Sequence, residues 1–91
     1  MMLHRLHELK TDPEPFGASL RGDKQYEIRL NDRGFRVCDM LVLRETEHSG
    51  EEMRNGAPLL YTGRVLSRIV TEVRSGYGLM DGWVILGVKP A

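Results

Sequence analysis

The sequence predicts a mainly β (α+β) domain folded as a small mixed β-barrel, and three observations support this class. Apolar and polar residues alternate with a period of two after Gly22, short apolar runs are separated by turn-forming residues, and one early segment has helical character. Together they give five short strands and one helix in 91 residues. A barrel suits such a set, because closure removes exposed sheet edges.

Length and composition are those of one ordinary globular domain that spans residues 1–91. The chain is 41% hydrophobic and 29% charged, and its net charge is zero. That balance argues against a polybasic protein that binds nucleic acid by bulk charge, although it allows a local site. The single cysteine excludes an internal disulfide, and the longest apolar run is too short for a membrane helix. We therefore expect a reduced, cytoplasmic protein with no membrane partner.

The first elements are a short apolar segment and a helix. Leu6–Leu9 has a spacing that fits a strand or a helix equally well. Asp12 and Pro13 are typical of a helix start, and Phe16 and Leu20 lie four apart on one helical face. We therefore expect a helix between Asp12 and Arg21.

The next strand alternates strictly, and we predict that its apolar side faces the core. Tyr26, Ile28 and Leu30 point one way, whereas Glu27 and Arg29 point the other way. The turn-forming run 31–34 ends this strand. We expect these side chains to be largely buried: Tyr26, Ile28, Leu41, Leu43, Val65, Ile69, Val84 and Leu86.

The second half of the chain predicts three strands and one long connection. Met40–Leu43 is a continuous apolar run, as expected of a strand buried on both faces. Thr46–Pro58 is rich in polar residues and predicts a solvated connection. Leu60–Arg74 is rich in β-branched residues, with a bend or bulge expected at Gly63, and Trp83–Val88 predicts a last buried strand.

The stretch from Gly22 to Arg33 contains the residues suited to chemistry. Glu27 and Arg29 share one face of a strand, and an arginine held beside a carboxylate presents its fork to a phosphate or a base edge. Lys24 precedes the strand, where a loop can aim it into a cleft. From the charge pattern alone, a solvated strand face with one surface ion pair is the commoner outcome.

The motif Gly22-x-Lys24-x-x-Glu27-x-Arg29 resembles the G-x-K-x-x-E-x-R signature of ASCH domains, which belong to the PUA-like superfamily. The resemblance covers about residues 4–89 and is strongest to a compact phage and bacterial ASCH-type family of unknown function. It implies a PUA-like β-barrel of five to six strands with one or two short helices. It also implies a cleft beside the Gly-x-Lys motif that binds RNA or a modified nucleobase.

The same resemblance assigns residues to that cleft. It implies that Lys24, Glu27 and Arg29 line the cleft and that three residues form or brace its rim, namely Asn31, Asp32 and Arg33. His7 and Lys10 belong to the family pattern but have no assigned position in the cleft.

Two positions depart from the family pattern. Cys38 stands where the family usually has glycine, so a positive φ there would strain the backbone. Some family members are amidohydrolases that use a lysine and, three residues later, a threonine nucleophile. Here that later position is Glu27, and a carboxylate does not simply replace a hydroxyl nucleophile.

Three functions stay open, in this order. The first is an RNA- or nucleobase-binding module. The second is a hydrolase, an amidohydrolase or a ribonuclease acting on RNA or a modified nucleoside, with Lys24 as general base or electrostatic catalyst and Glu27 in proton transfer. The third is a phage-type protein-interaction module that uses the acidic Thr46–Pro58 segment. The sequence leaves the catalytic residues otherwise unassigned and the oligomeric state open.

No metal or cofactor is expected. His4 and His7 are suited to sharing a metal on a helix but not on a strand, and Cys38 and His48 have no partner at ligand spacing. We interpret Cys38 as a small buried hydrophobe.

Two aromatic residues have two interpretations each. Trp83 begins an apolar strand and is most simply a core residue, and Tyr77 lies between two glycines and is most simply a packing residue. Base stacking is the functional alternative for both side chains.

Overall fold

A computed structural model describes residues 4–91 as one curled sheet of five strands with two short helices, which confirms the mainly β fold class. The segment whose spacing fitted either element is a strand, and the early helix lies within the predicted bounds. In chain order the elements are β1 (Leu6–Thr11), α1 (Pro13–Leu20), β2 (Tyr26–Leu30), β3 (Met40–Thr46), α2 (Gly50–Arg54), β4 (Tyr61–Arg74) and β5 (Trp83–Pro90).

The sheet order is β1-β3-β4-β5-β2, which puts the first two strands of the chain at opposite edges. β1 pairs with β3 in parallel, with Leu9 opposite Leu43. The other three pairings are antiparallel, including β2 with β5, where Glu27 lies opposite Leu86. The sheet is therefore mixed, and it curls as a half-barrel whose two edges belong to β1 and β2.

The core lies on the inner face of the curled sheet, under α1. Alternate residues of β1, β3 and β5 are buried, as expected of strands with one covered face. Phe16 of α1 is almost completely buried against them. The buried cluster consists of Leu9, Phe16, Phe35, Leu41, Leu43, Val70, Val84, Val88 and Leu86.

The predicted orientation of β2 is wrong. Tyr26 and Ile28 are each 45% exposed, whereas Glu27 is only 2% exposed. The outer face of β2 carries Tyr26 and Ile28, and the inner face accommodates Glu27 because two cations pair with it.

The remaining predicted core residues divide in the same way. Leu41, Leu43, Val84 and Leu86 are buried as predicted. Val65 is 53% exposed and Ile69 is half-buried, because both lie on the outer face of β4. The run at 40–43 is likewise buried on alternate positions and not on both faces.

Gly63 lies in an irregular part of β4, as predicted. Arg44 of β3 pairs with Val65, but Thr46 pairs with Tyr61, so β4 has two extra residues between these pairs. Gly63 has φ +94°, a conformation that glycine adopts without a Cβ clash.

The connection 46–58 is more ordered than predicted, because it contains α2. Ser49 and Glu52 form a capping box: the Glu52 N–H donates to Ser49 Oγ at 3.1 Å, and the Ser49 N–H donates to Glu52 Oε1 at 2.9 Å. The Gly50 N–H also donates to Asp12 Oδ1 at 3.0 Å, which fastens α2 to the start of α1. Among residues 4–91, no helix is long and apolar enough to cross a bilayer.

Two residues interpreted as packed side chains are exposed instead. Cys38 is exposed and has φ +75°, so its backbone occupies the left-handed region that the glycine of the resembled family would favour. Tyr77 is 75% exposed, and its hydroxyl oxygen accepts a hydrogen bond from Arg74 at 3.0 Å. Trp83 is half-buried at the start of β5.

Candidate functional site

A cleft of about 370 Å³ opens between the two edge strands of the half-barrel. Volumes of this order are typical of small-ligand pockets. β1 contributes Lys10 and Thr11, the start of α1 contributes Asp12 and Pro15, and β2 contributes Tyr26–Arg29. Lys24, just before β2, completes the wall.

Glu27 lies at the base of this cleft between two cations. Its Oε2 contacts the Lys24 ammonium, and its Oε1 accepts hydrogen bonds from Arg29 Nη2 at 2.9 Å and Nε at 3.2 Å. A buried carboxylate is costly unless it is paired, and here two positive groups compensate one negative group. The Lys24–Glu27–Arg29 triad therefore has a net charge of +1 at the base of the cleft.

The chain reversal after α1 positions Lys24. Gly22 has φ +83°, and the Lys24 N–H donates to Ala18 O at 3.2 Å, so the chain folds back over the end of the helix. Lys24 Nζ then donates to Tyr26 O at 2.6 Å and lies 5.0 Å from the centre of the Tyr26 ring. The ammonium is thereby fixed above the beginning of β2.

Arg29 bridges the cleft from one edge strand to the other. Its Nη1 donates to the main-chain oxygen of Lys10 at 3.0 Å, and its Nη2 lies 3.4 Å from Thr11 Oγ1. The guanidinium thus satisfies a carbonyl on the free edge of β1 while it pairs with Glu27.

The predicted rim residues occupy different positions. Arg33 makes a second bridge, from its Nη1 to Glu8 O at 2.7 Å. Asn31 Oδ1 accepts a hydrogen bond from the Phe35 N–H at 2.8 Å and so braces the turn after β2. Asp32 lies 3.5 Å from Arg33 Nε, and both residues line an adjoining space instead of the cleft itself.

That adjoining space has a volume of about 670 Å³ and shares Lys10, Asp12, Ile28 and Arg29 with the cleft. Arg54 of α2 and Trp83 of β5 also line it. Sequence reasoning placed Asp32 and Arg33 beside the cleft but did not assign Lys10 or Arg54 to this space. The sequence contains a signal for Lys10, because the period-two alternation of β1 puts Lys10 on the face opposite buried Leu9. The position of Arg54 depends on how α2 packs.

His7 belongs to a separate buried cluster. Its Nε2 lies 2.8 Å from Asp39 Oδ2, and its ring contacts the Phe35 ring edge-on with centres 4.8 Å apart. Burial alone raises the pKa of the Asp39 carboxyl, but hydrogen bonds from His7 and the N–H groups of Arg36 and Arg5 outweigh it and lower that pKa. This cluster ties the start of β1 to the loop before β3. Within residues 4–91, no group of three or more His, Cys, Asp or Glu is arranged to hold a metal ion.

A family model described as a domain of unknown function (DUF3850) matches residues 6–88, a span that includes β1 to β4, most of β5 and the whole cleft. The chain belongs to this family. It is also similar to an Escherichia phage P2 protein described as "Uncharacterized 12.9 kDa protein in GpA 3'region". The two sequences are 27% identical over 85 residues, which is 93% of this chain and 69% of the phage protein. The DUF3850 match and the phage relative thus show what this chain is related to, and neither description states a function.

Proposed function

We propose that this DUF3850 domain binds a nucleobase, presented in RNA or in a small nucleotide, in the cleft between β1 and β2. The observation that supports it is the Lys24–Glu27–Arg29 triad at the base of an open cleft, in which a buried carboxylate holds two partly exposed cations. The resemblance of the same motif to ASCH domains of the PUA-like superfamily points to the same class of ligand.

The polar edge of a nucleobase matches the triad in hydrogen-bonding type. Base edges combine carbonyl and ring-nitrogen acceptors with amino donors. Lys24 and Arg29 offer donors, and the 16% and 24% exposure of the two basic side chains lets a ligand reach them, whereas Glu27 is buried and holds the two cations in place. A ligand group that binds here replaces water at a site with net charge +1.

Tyr26 supplies an apolar surface next to the triad. Its ring is nearly half exposed at the mouth of the cleft. Stacking of a base on an aromatic side chain is worth about 1–3 kcal/mol per base. Lys10, on the opposite wall, offers a positive charge for a phosphate group.

A titration with ribonucleosides and their 5′-monophosphates tests this proposal. At least one of them should raise the melting temperature of the wild-type protein, because a ligand that binds only the folded state stabilises it. Lys24→Gln should weaken that binding about 10- to 150-fold, the effect of losing a charged hydrogen bond. Tyr26→Ala should weaken it about 5- to 150-fold.

Two matched variants serve as controls. Lys89→Gln removes an exposed lysine of β5, and Tyr77→Ala removes an exposed tyrosine, both outside the cleft. Binding by both controls should equal that of the wild type. The proposal is wrong if no nucleoside, nucleotide or short RNA oligomer binds, or if Lys24→Gln binds as tightly as the wild type.

The direct contact between Lys24 and Glu27 favours hydrolysis of RNA or a modified nucleoside as a second candidate function. Lys24 would then act as general base or electrostatic catalyst while Glu27 transfers a proton. Mass spectrometry of RNA oligomers and of N-acylated nucleosides after incubation with the protein tests this activity. Cleavage by the wild type that is absent in Lys24→Gln supports hydrolysis, and intact substrates throughout exclude it for these compounds.

A further inference from the structure

The cleft is the first part of a longer groove that follows the free edge of β1. The cleft of about 370 Å³ adjoins the space of about 670 Å³ through Lys10 and Arg29. That space adjoins a third, of about 230 Å³, through Lys10 and Arg33. The lining residues of β1 progress from Thr11 in the cleft to Glu8 at the far end.

The groove is positively charged on a chain whose net charge is zero. Six basic residues line it against four acidic ones, an excess of two positive charges. The basic residues are Lys10, Lys24, Arg29, Arg33, Arg44 and Arg54. A local excess of positive charge in a concave site attracts an anionic chain.

Aromatic rings alternate with these cations along the groove. Tyr26 lies at the cleft, Trp83 lines the middle space, and Tyr61 lines the far end. The Arg44 guanidinium carbon lies 3.7 Å from the centre of the Tyr61 ring, so the ring holds it in place. Arg44 has a weak ion pair with Glu8 at 3.8 Å, which leaves guanidinium donors free for a phosphate.

From this arrangement we propose that the groove binds a single-stranded oligonucleotide, so that the natural ligand is a nucleic-acid strand and not a free nucleotide. This inference rests on the proposed function of the cleft. Proteins that bind single-stranded nucleic acids combine two features. Positive charges follow the phosphate backbone, and bases stack on aromatic rings. When one base of a strand occupies the cleft, the two further spaces accommodate the neighbouring nucleotides of that strand.

Arg44 is the residue that separates the two proposals, because it lies at the far end of the groove and outside the cleft. Fluorescein-labelled hexaadenylate, hexacytidylate and hexauridylate are compared with AMP, CMP and UMP by anisotropy and competition. At least one hexamer should bind ten or more times more tightly than its monophosphate. Arg44→Gln should weaken hexamer binding about tenfold, reduce its salt dependence and leave monophosphate binding unchanged.

Arg74→Gln is the matched control. Like Arg44, Arg74 is a strand arginine with a glutamate partner and a tyrosine ring nearby, but it lies outside the groove. The Arg74→Gln variant should bind hexamers and monophosphates as tightly as the wild type does. Tyr61→Leu provides a second groove variant that keeps every charge, and it should weaken hexamer binding alone.

The outcomes distinguish the two proposals. Hexamers that bind no more tightly than monophosphates, or hexamer binding that neither groove variant changes, overturn the extended groove and leave the cleft proposal intact. Equal losses for hexamer and monophosphate in Arg44→Gln also overturn it. A hexaglutamate peptide that competes as well as the best hexamer overturns nucleic-acid recognition in favour of an acidic peptide. If neither monophosphates nor hexamers bind, both proposals fail.

Discussion

Arg29 and Lys10 lie on the two edge strands of the half-barrel, and the Arg29 guanidinium donates to the Lys10 main-chain oxygen at 3.0 Å. This side-chain hydrogen bond joins β1 and β2 where backbone-to-backbone hydrogen bonds would join two paired strands. Direct pairing would bring these strands to about 4.8 Å and close the barrel. The longer arginine bridge holds the edges apart, and the cleft lies in the space that results.

Arg29→Lys should therefore destabilise the fold as well as the cleft. A lysine keeps the charge, but its single ammonium nitrogen replaces a planar fork whose Nε and Nη2 bond Glu27 while Nη1 bonds the Lys10 oxygen. We expect a loss of about 1–3 kcal/mol in the free energy of unfolding, measured by urea denaturation.

Arg21→Lys is the control for that change. Arg21 pairs with Asp23, and both side chains are mostly exposed, so this variant should stay within about 0.5 kcal/mol of the wild type. An Arg29→Lys protein as stable as Arg21→Lys would show that the bridge contributes nothing to holding the edges.

The orientation of β2 gives a second prediction. Ile28→Ala should cost under about 1 kcal/mol, because Ile28 is nearly half exposed on the outer face. Leu86→Ala should cost about 2–5 kcal/mol, because Leu86 is fully buried opposite Glu27. Thermal and urea unfolding of both variants measure the difference. Equal losses would mean that β2 is turned the other way.

The alternation of β2 was readable from the sequence, but the choice of its buried face was not. Period-two spacing separates Ile28 from Glu27 and says that they face opposite sides. Hydrophobicity then favours burying Ile28, and that choice fails because Lys24 and Arg29 pair with a buried Glu27. Such pairing is a tertiary fact, which a single sequence does not display.

The same limit explains which parts of the site were predicted. Lys24, Glu27 and Arg29 are close in the chain, so a local motif brings them together. Arg44 and Arg54 reach the groove through strand order and through the packing of α2, which the spacing of residues does not encode. Sequence reasoning therefore predicted the triad and placed Asp32 and Arg33 beside it, but it missed Arg44 and Arg54.

Acid should destabilise the protein through Asp39 and Glu45. The pKa of Asp39 is lowered because its hydrogen bonds outweigh burial, and the pKa of Glu45 is lowered chiefly by hydrogen bonds from Arg64. A lowered folded-state pKa contributes stability that is present above the unfolded value, about 3.9 to 4.3. That stability is lost as the pH falls through the lower folded-state values.

Urea unfolding between pH 7 and pH 2 measures this effect. The wild type should lose stability as the pH falls below about 4. Asp39→Asn should be less stable at pH 7 and should lose less on acidification, and adding Glu45→Gln should flatten the dependence further. A double variant whose stability falls as steeply as that of the wild type would contradict the assignment.

The last prediction concerns Cys38, whose backbone has a conformation that a residue with a side chain disfavours. Its φ of +75° costs a residue with a Cβ about 1–2 kcal/mol, although its N–H donates to Val70 O at 2.7 Å and holds the turn. Cys38→Gly removes that strain and loses about 0.4–1 kcal/mol to the greater freedom of the unfolded chain. The net result should be a stabilisation of about 0.5–1 kcal/mol in urea unfolding. Cys38→Ala, which removes the thiol and keeps the strain, should stay near the wild type, since the side chain is exposed. A Cys38→Gly protein less stable than Cys38→Ala would mean that the positive φ is not strained in this turn.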